Sequence, residues 1–141
     1  MISRARWGWR ALLSAMVSLL ALIGFWPSPV DKPLRGLIAR ALRKLHAHGV
    51  PGWVDYAFVE RIANVALFVP LGAVAVLAFP WQKWWQIATL GALVSGCMEL
   101  GQWMFLSQRY PSLADLALNT AGAAIGALIA RRLVPDETAT L

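Results

Sequence analysis

Charge is scarce in this chain, and acidic charge is scarcest. Asp and Glu together number 7 of 141 residues, and charged residues of both signs make up only 14%. Soluble domains carry about a quarter, so a water-exposed globule is excluded. The single cysteine, Cys97, rules out an internal disulfide and, lying within an apolar run, reads as a small buried side chain. Histidine is nearly absent too. His46 and His48 are two residues apart, which on a helix turns them to different sides, so they read as surface residues and no metal site is expected. The 13 Lys and Arg give a net charge of +6, yet most stand at the ends of apolar runs or in one loop, with no nucleic-acid-binding pattern beside them. Nucleic acid is not an expected partner, and no residue pattern calls for a cofactor.

What fills the chain instead is apolar: 59% of the residues are hydrophobic and 8 are Trp. Four runs reach the ~17–25 residues that a membrane-spanning helix needs, at about 7–26, 62–79, 86–106 and 113–130. They predict a single membrane domain over residues 1–141: an all-α protein, a four-transmembrane-helix up-down bundle.

Arg4, Arg6 and Arg10 precede the first run as in a signal peptide, but Phe25, Trp26 and Pro27 stand where a small-residue cleavage site belongs. An uncleaved first span is expected, anchored at its interfaces by Trp7, Trp9 and Trp26. In the long connection that follows, Leu34, Leu37, Ile38, Ala41, Leu42 and Leu45 recur at helical spacing, with Lys32, Arg35, Arg40, Arg43 and Lys44 between them. This predicts a basic amphipathic interfacial helix between helices 1 and 2, over about 32–47, lying in the headgroup layer. Pro70 predicts a kink in the second span. Gly91, Ser95 and Gly96 in the third span, and Gly122 and Gly126 in the fourth, let helices approach closely.

The few polar residues inside the spans are concentrated. Glu60 and Asn64 share a helix face at the start of the second span, Glu99 and Gln102 stand late in the third, and Asp115 and Asn119 open the fourth. In an up-down bundle these places fall at one end, with Arg61 and Arg109 entering from the same side. At 1.5 Å rise per residue Glu99 is about 10 Å in from Leu106, and Asn119 about 9 Å in from Leu113. They share a depth. A carboxylate there needs a partner, and Glu99 with Arg109 and Asp115 with Arg61 is one arrangement. Purely structural hydrogen bonding between helices is the alternative. Arg10, Lys83, Arg131 and Arg132 adjoin span ends on the opposite side and outweigh Arg61 and Arg109. By the positive-inside rule both termini are cytoplasmic and the polar layer faces outward.

The ordered set Asn64, Phe68, Pro70 and Gly72, then Glu99 and Gln102, Arg109, Asp115 and Asn119, and Gly122 with Gly126 resembles the VanZ-like family of small membrane proteins. The match covers roughly residues 60–130. It implies a bacterial cell (inner) membrane protein, and the family's founder is an accessory to resistance against teicoplanin, a glycopeptide acting outside the membrane on cell-wall precursors. The family's pattern often adds an acidic residue between the Arg and the Asp, where this chain reads Tyr110, Pro111, Ser112, Leu113 and Ala114.

Three functions fit. In the first, Glu60, Arg61, Asn64, Gln102, Arg109 and Asn119 line an outward pocket that binds the headgroup of a membrane lipid or a lipid-linked cell-wall precursor. In the second, Glu99 and Asp115 serve as catalytic acid and base in an enzyme acting on such a headgroup phosphate. In the third, Glu99 carries a proton in a transporter, for which a chain without an internal repeat needs a second copy.

Overall fold

The computed structural model describes residues 2–26, 32–106 and 111–134, with side chains from residue 5 onward and except at 32. Over these residues the chain forms α1 (Ile2–Gly24), a 3-10 turn (Lys32–Leu34) leading into α2 (Arg35–Ala47), α3 (Tyr56–Ala78), α4 (Trp84–Phe105) and α5 (Leu113–Leu133), and no strand. α3 begins at Tyr56 rather than at 62. Glu60 and Arg61 interrupt the apolar run that marks the span, but Asp55 caps the helix ahead of them, its carboxylate accepting the Phe58 N–H at 2.8 Å. Trp53 packs edge-on against Phe58, ring centroids 5.3 Å apart, and fixes the entry.

Three of the long helices, Ala5–Gly24 within α1, Tyr56–Ala78 and Leu113–Leu133, are long and apolar enough to cross a membrane. The fourth expected span, α4, has 22 residues, about 33 Å of helix at 1.5 Å per residue. Its length suffices, but Trp84, Trp85 and Gln86 at one end and Glu99 and Gln102 at the other dilute its apolarity.

Neighbouring pairs fix the directions. Asn64 meets Asp115, and further along Val69 meets Gly126, so α3 and α5 run parallel. Ser95 meets Asn119 while Gly91 lies on Ala123, so α4 runs against α5. Arg10 lies on Phe79, and Gly24 meets Met98 and Gln102, which sets α1 against α3 and alongside α4. The polar half of the sequence pattern therefore gathers at one end: the C-termini of α1 and α4 and the N-termini of α3 and α5.

Leu13, Met16, Val17 and Leu20 line one face of α1 at the i, i+3, i+4, i+7 spacing and pack on the core formed by Phe68, Leu71, Ala75, Val76, Ile87 and Ala123. The densest contact is between α3 and α5. A Cβ on Gly126 would collide with the Val69 carbonyl, and one on Gly72 with the backbone of Ala123. The two backbones touch because these positions carry no side chain. α3 runs through Pro70 as a single helix from Tyr56 to Ala78, and the ring itself is exposed on the outer face.

α2 ends as its sequence demands. Gly49 takes φ +91°, open to glycine, and the Gly49 and Val50 N–H groups donate to the His46 and Leu45 carbonyls. None of its residues is buried. Leu34, Leu37 and Leu45 remain exposed, and His46 and His48 are exposed as expected. Cys97 is a correction: it faces outward from α4 and is exposed. The residues buried on that helix, Ile87, Ala88, Gly91 and Ser95, repeat along a face that Cys97 does not share.

Candidate functional site: a polar layer joining four helices

The layer is built from hydrogen bonds between helices. Asn64 Nδ2 on α3 donates to Asp115 Oδ1 on α5 at 2.9 Å. One turn deeper, Asn119 Nδ2 on α5 donates to Ser95 Oγ on α4 at 2.9 Å, and both residues are buried. On α4, Gln102 Nε2 donates to the Gly24 carbonyl of α1 at 2.9 Å. Glu99, one turn before it, accepts the Ser112 backbone N–H at 2.7 Å through Oε2. Ser112 in turn caps α5, its hydroxyl accepting the Asp115 N–H at 3.1 Å.

Each bond follows from local sequence logic. Ser112 and Asp115 form a Ser-x-x-Asp start to a helix, in which the serine oxygen takes up an N–H that the first turn leaves unpaired. Asp115 and Asn119 are four apart, so one face of α5 reaches α3 with its first polar residue and α4 with its second. The Glu99 carboxylate takes a further unpaired N–H at the start of the same helix, where negative charge is favoured by the helix dipole.

Of the residues singled out by sequence, Asn64, Glu99, Gln102, Asp115 and Asn119 come together in this layer. Glu60 and Arg61 do not join it; both are exposed on the first turns of α3. Asp115 meets an amide, Asn64, where Arg61 was one expected partner. Arg109, and with it the expected pairing to Glu99, lies outside the described residues. Three members were not anticipated as polar partners: Ser112, Ser95 and the Gly24 carbonyl. Ser95 was legible only as a small residue, and its hydroxyl matters because a buried asparagine faces it. The Gly24 carbonyl carried no signal at all, since any residue at the end of α1 presents one.

One polar atom in the layer is left over. Asn119 Oδ1 is buried and has no hydrogen-bond partner. Turning the amide over would exchange its two ends, and one of them would still face Ser95 while the other stood open. No cluster of His, Cys, Asp or Glu suited to a metal ion occurs among the described residues.

A helical membrane protein with its polar side chains gathered at one end is the class that fold and layer define. The chain belongs to the VanZ/LLP1 family, whose model matches residues 15–134. No curated protein and no solved structure matches it.

Proposed function

We propose that the protein is a four-span, non-enzymatic factor of the bacterial inner membrane, with both termini cytoplasmic, whose polar layer binds the headgroup of a lipid or cell-envelope precursor from outside. The observation that carries this reading is the open amide end of Asn119, buried between α3, α4 and α5. Leaving a buried polar atom unpaired costs about 1–3 kcal/mol, a cost that a ligand group entering the layer removes. A hydroxyl fits whichever amide atom is open, because it both donates and accepts. Lipid-linked precursors and glycerol lipids carry hydroxyls next to phosphates. Arg61, exposed at the start of α3, and Arg109, known here from sequence, supply the positive charge that a headgroup phosphate needs. A link to glycopeptide resistance rests on family membership and belongs to the same proposal.

Binding is favoured over catalysis because both carboxylates that acid–base chemistry would use already hold structural hydrogen bonds, Glu99 to the Ser112 N–H and Asp115 to Asn64. The test is native mass spectrometry of the purified protein. A retained phosphate-bearing lipid or precursor is expected, reduced about tenfold in Asn119→Ala and Arg109→Ala, each removing roughly one buried or charge-assisted hydrogen bond. Glu99→Gln keeps an acceptor for Ser112 and should retain the ligand. Wild-type retention in both alanine variants, with folding intact, would end the proposal.

A further inference from the structure

The opposite end of the molecule holds two guanidinium groups, on Arg10 and Arg131, without a counter-charge among the described residues. Arg10 on α1 lies over three aromatic rings, its Cζ 5.3 Å from the centre of Trp7, 5.2 Å from Phe79 and 5.6 Å from Trp81. Its Nε is buried and has no hydrogen-bond partner. Two walls of the cage brace one another: Phe79 and Trp81 meet edge to face at 5.8 Å, and the turn carrying them is closed by the Phe79 N–H on the Ala75 carbonyl at 2.9 Å and the Gln82 N–H on the Phe79 carbonyl at 3.0 Å. Cation–π contacts engage the face of the guanidinium but leave the in-plane Nε–H unsatisfied.

Among the described residues nothing acidic at this end supplies the missing partner. The described acidic residues, Asp55, Glu60, Glu99 and Asp115, all stand toward the polar layer, whereas Arg6, Arg10, Lys83, Arg131 and Arg132 are the charged groups here. Asp136 and Glu137 lie outside the described residues. Exposed Trp7, Trp81, Trp84 and Trp85 mark headgroup depth.

Phe79 has a second neighbourhood. It walls a groove of about 320 Å³ that runs along the first turns of α4, past Gln82 and Gln86 and then Ile87, Leu90 and Leu93. Gln86 Oε1 accepts the Lys83 N–H at 2.7 Å, which turns an acceptor inward and leaves the side-chain NH₂ as a donor. Cationic and amide donors at the interface, beside an open apolar groove, match an amphiphile with an anionic head.

We propose that Arg10, held by Trp7, Phe79 and Trp81, together with the adjoining groove on α4, is a binding site for one acidic phospholipid. The phosphate lies at Arg10, within reach of the Gln86 amide and Lys83, and an acyl chain covers Ile87, Leu90 and Leu93. The site is separate from the polar layer and stands or falls independently of it.

The test is titration of the full-length protein in detergent with phosphatidylglycerol, phosphatidylcholine or inorganic phosphate, read by native mass spectrometry as one-to-one adducts. Phosphatidylglycerol should bind about tenfold more tightly than phosphatidylcholine, and Arg10→Gln should remove that preference. Leu90→Trp, which fills the groove and leaves Arg10 in place, should weaken binding of phosphatidylglycerol several-fold and decides the matter if Arg10→Gln fails to fold. Neutralising the tail with Asp136→Asn and Glu137→Gln should change nothing. Equal binding of the two lipids, displacement by millimolar phosphate, unaltered binding in Leu90→Trp, or a several-fold gain on neutralising the tail would each overturn the proposal.

Discussion

Asn64 and Asp115 are 51 positions apart in sequence and 2.9 Å apart in space, and what that bond contributes depends on its surroundings. In a membrane interior the unfolded helix also finds polar partners, so interhelical hydrogen bonds there contribute less than isolation in hydrocarbon suggests. A double-mutant cycle with Asn64→Ala and Asp115→Ala, measured by reversible unfolding in detergent micelles, should give a coupling of about 1 kcal/mol. Strict additivity would show that the two side chains do not meet. At this scale the sequence told which residues are polar and at what depth, because rise per residue is fixed. It did not tell their partners. Spacing offered Arg61 as a partner for Asp115, whereas the bond forms with Asn64 nearly one turn deeper on α3, and Arg61 stays exposed on the first turns.

Among the helices, glycine decides which pair forms the centre. Gly72, Gly122 and Gly126 lie where α3 and α5 touch, each with carbonyl or Cα atoms of the other helix at the place a side chain would start. Gly126→Leu cannot be relieved by a rotamer, because the obstacles are the Val69 carbonyl and the Ala73 nitrogen. Destabilisation at or above the ~1–3 kcal/mol of an overpacked core is expected. Gly8→Leu, at a position with nothing within 4 Å, is the control and should leave the midpoint of thermal unfolding unchanged. Gly122 and Gly126 were readable from sequence as a packing signal, as was the amphipathic character of α2, since periodicity reports which face of a helix is apolar. The start of α3 was not, because hydropathy sees Glu60 and Arg61 as an end whereas the Asp55 cap and the Trp53–Phe58 contact make them a continuation.

For the whole molecule, the ends differ in kind. One carries Asp55, Glu60, Glu99 and Asp115, together with the cationic α2; the other carries only Arg and Lys among its described charged residues. The positive-inside rule weighs Lys and Arg near span ends and gives acidic residues little influence, so Arg10, Lys83, Arg131 and Arg132 should direct their end to the cytoplasm. In intact cells, a membrane-impermeant reagent should label a cysteine placed at Gln108 and spare one placed at Lys83, with Cys97 changed to serine in both. The reverse pattern would put the polar layer inside and remove the envelope precursor as its ligand. Up-down order was legible from four apolar runs joined by short turns and one long one. That α4 stands apart from the three helices apolar enough to cross a membrane was not legible, because a count of apolar runs treats it as equal to the others.

The backbone contact between α3 and α5 also limits how the protein can change shape. Around Gly72, Gly122 and Gly126 the two backbones meet with few rotamers to exchange and little soft layer to shear, so this stretch of the pair behaves as one stiff spar. Motion is left to α1, α2 and α4, which are attached to that spar and to one another by side chains such as Gln102, Phe25 and Arg10. Whatever enters this protein from the lipid has to find its way past those helices, because the spar has no seam to open.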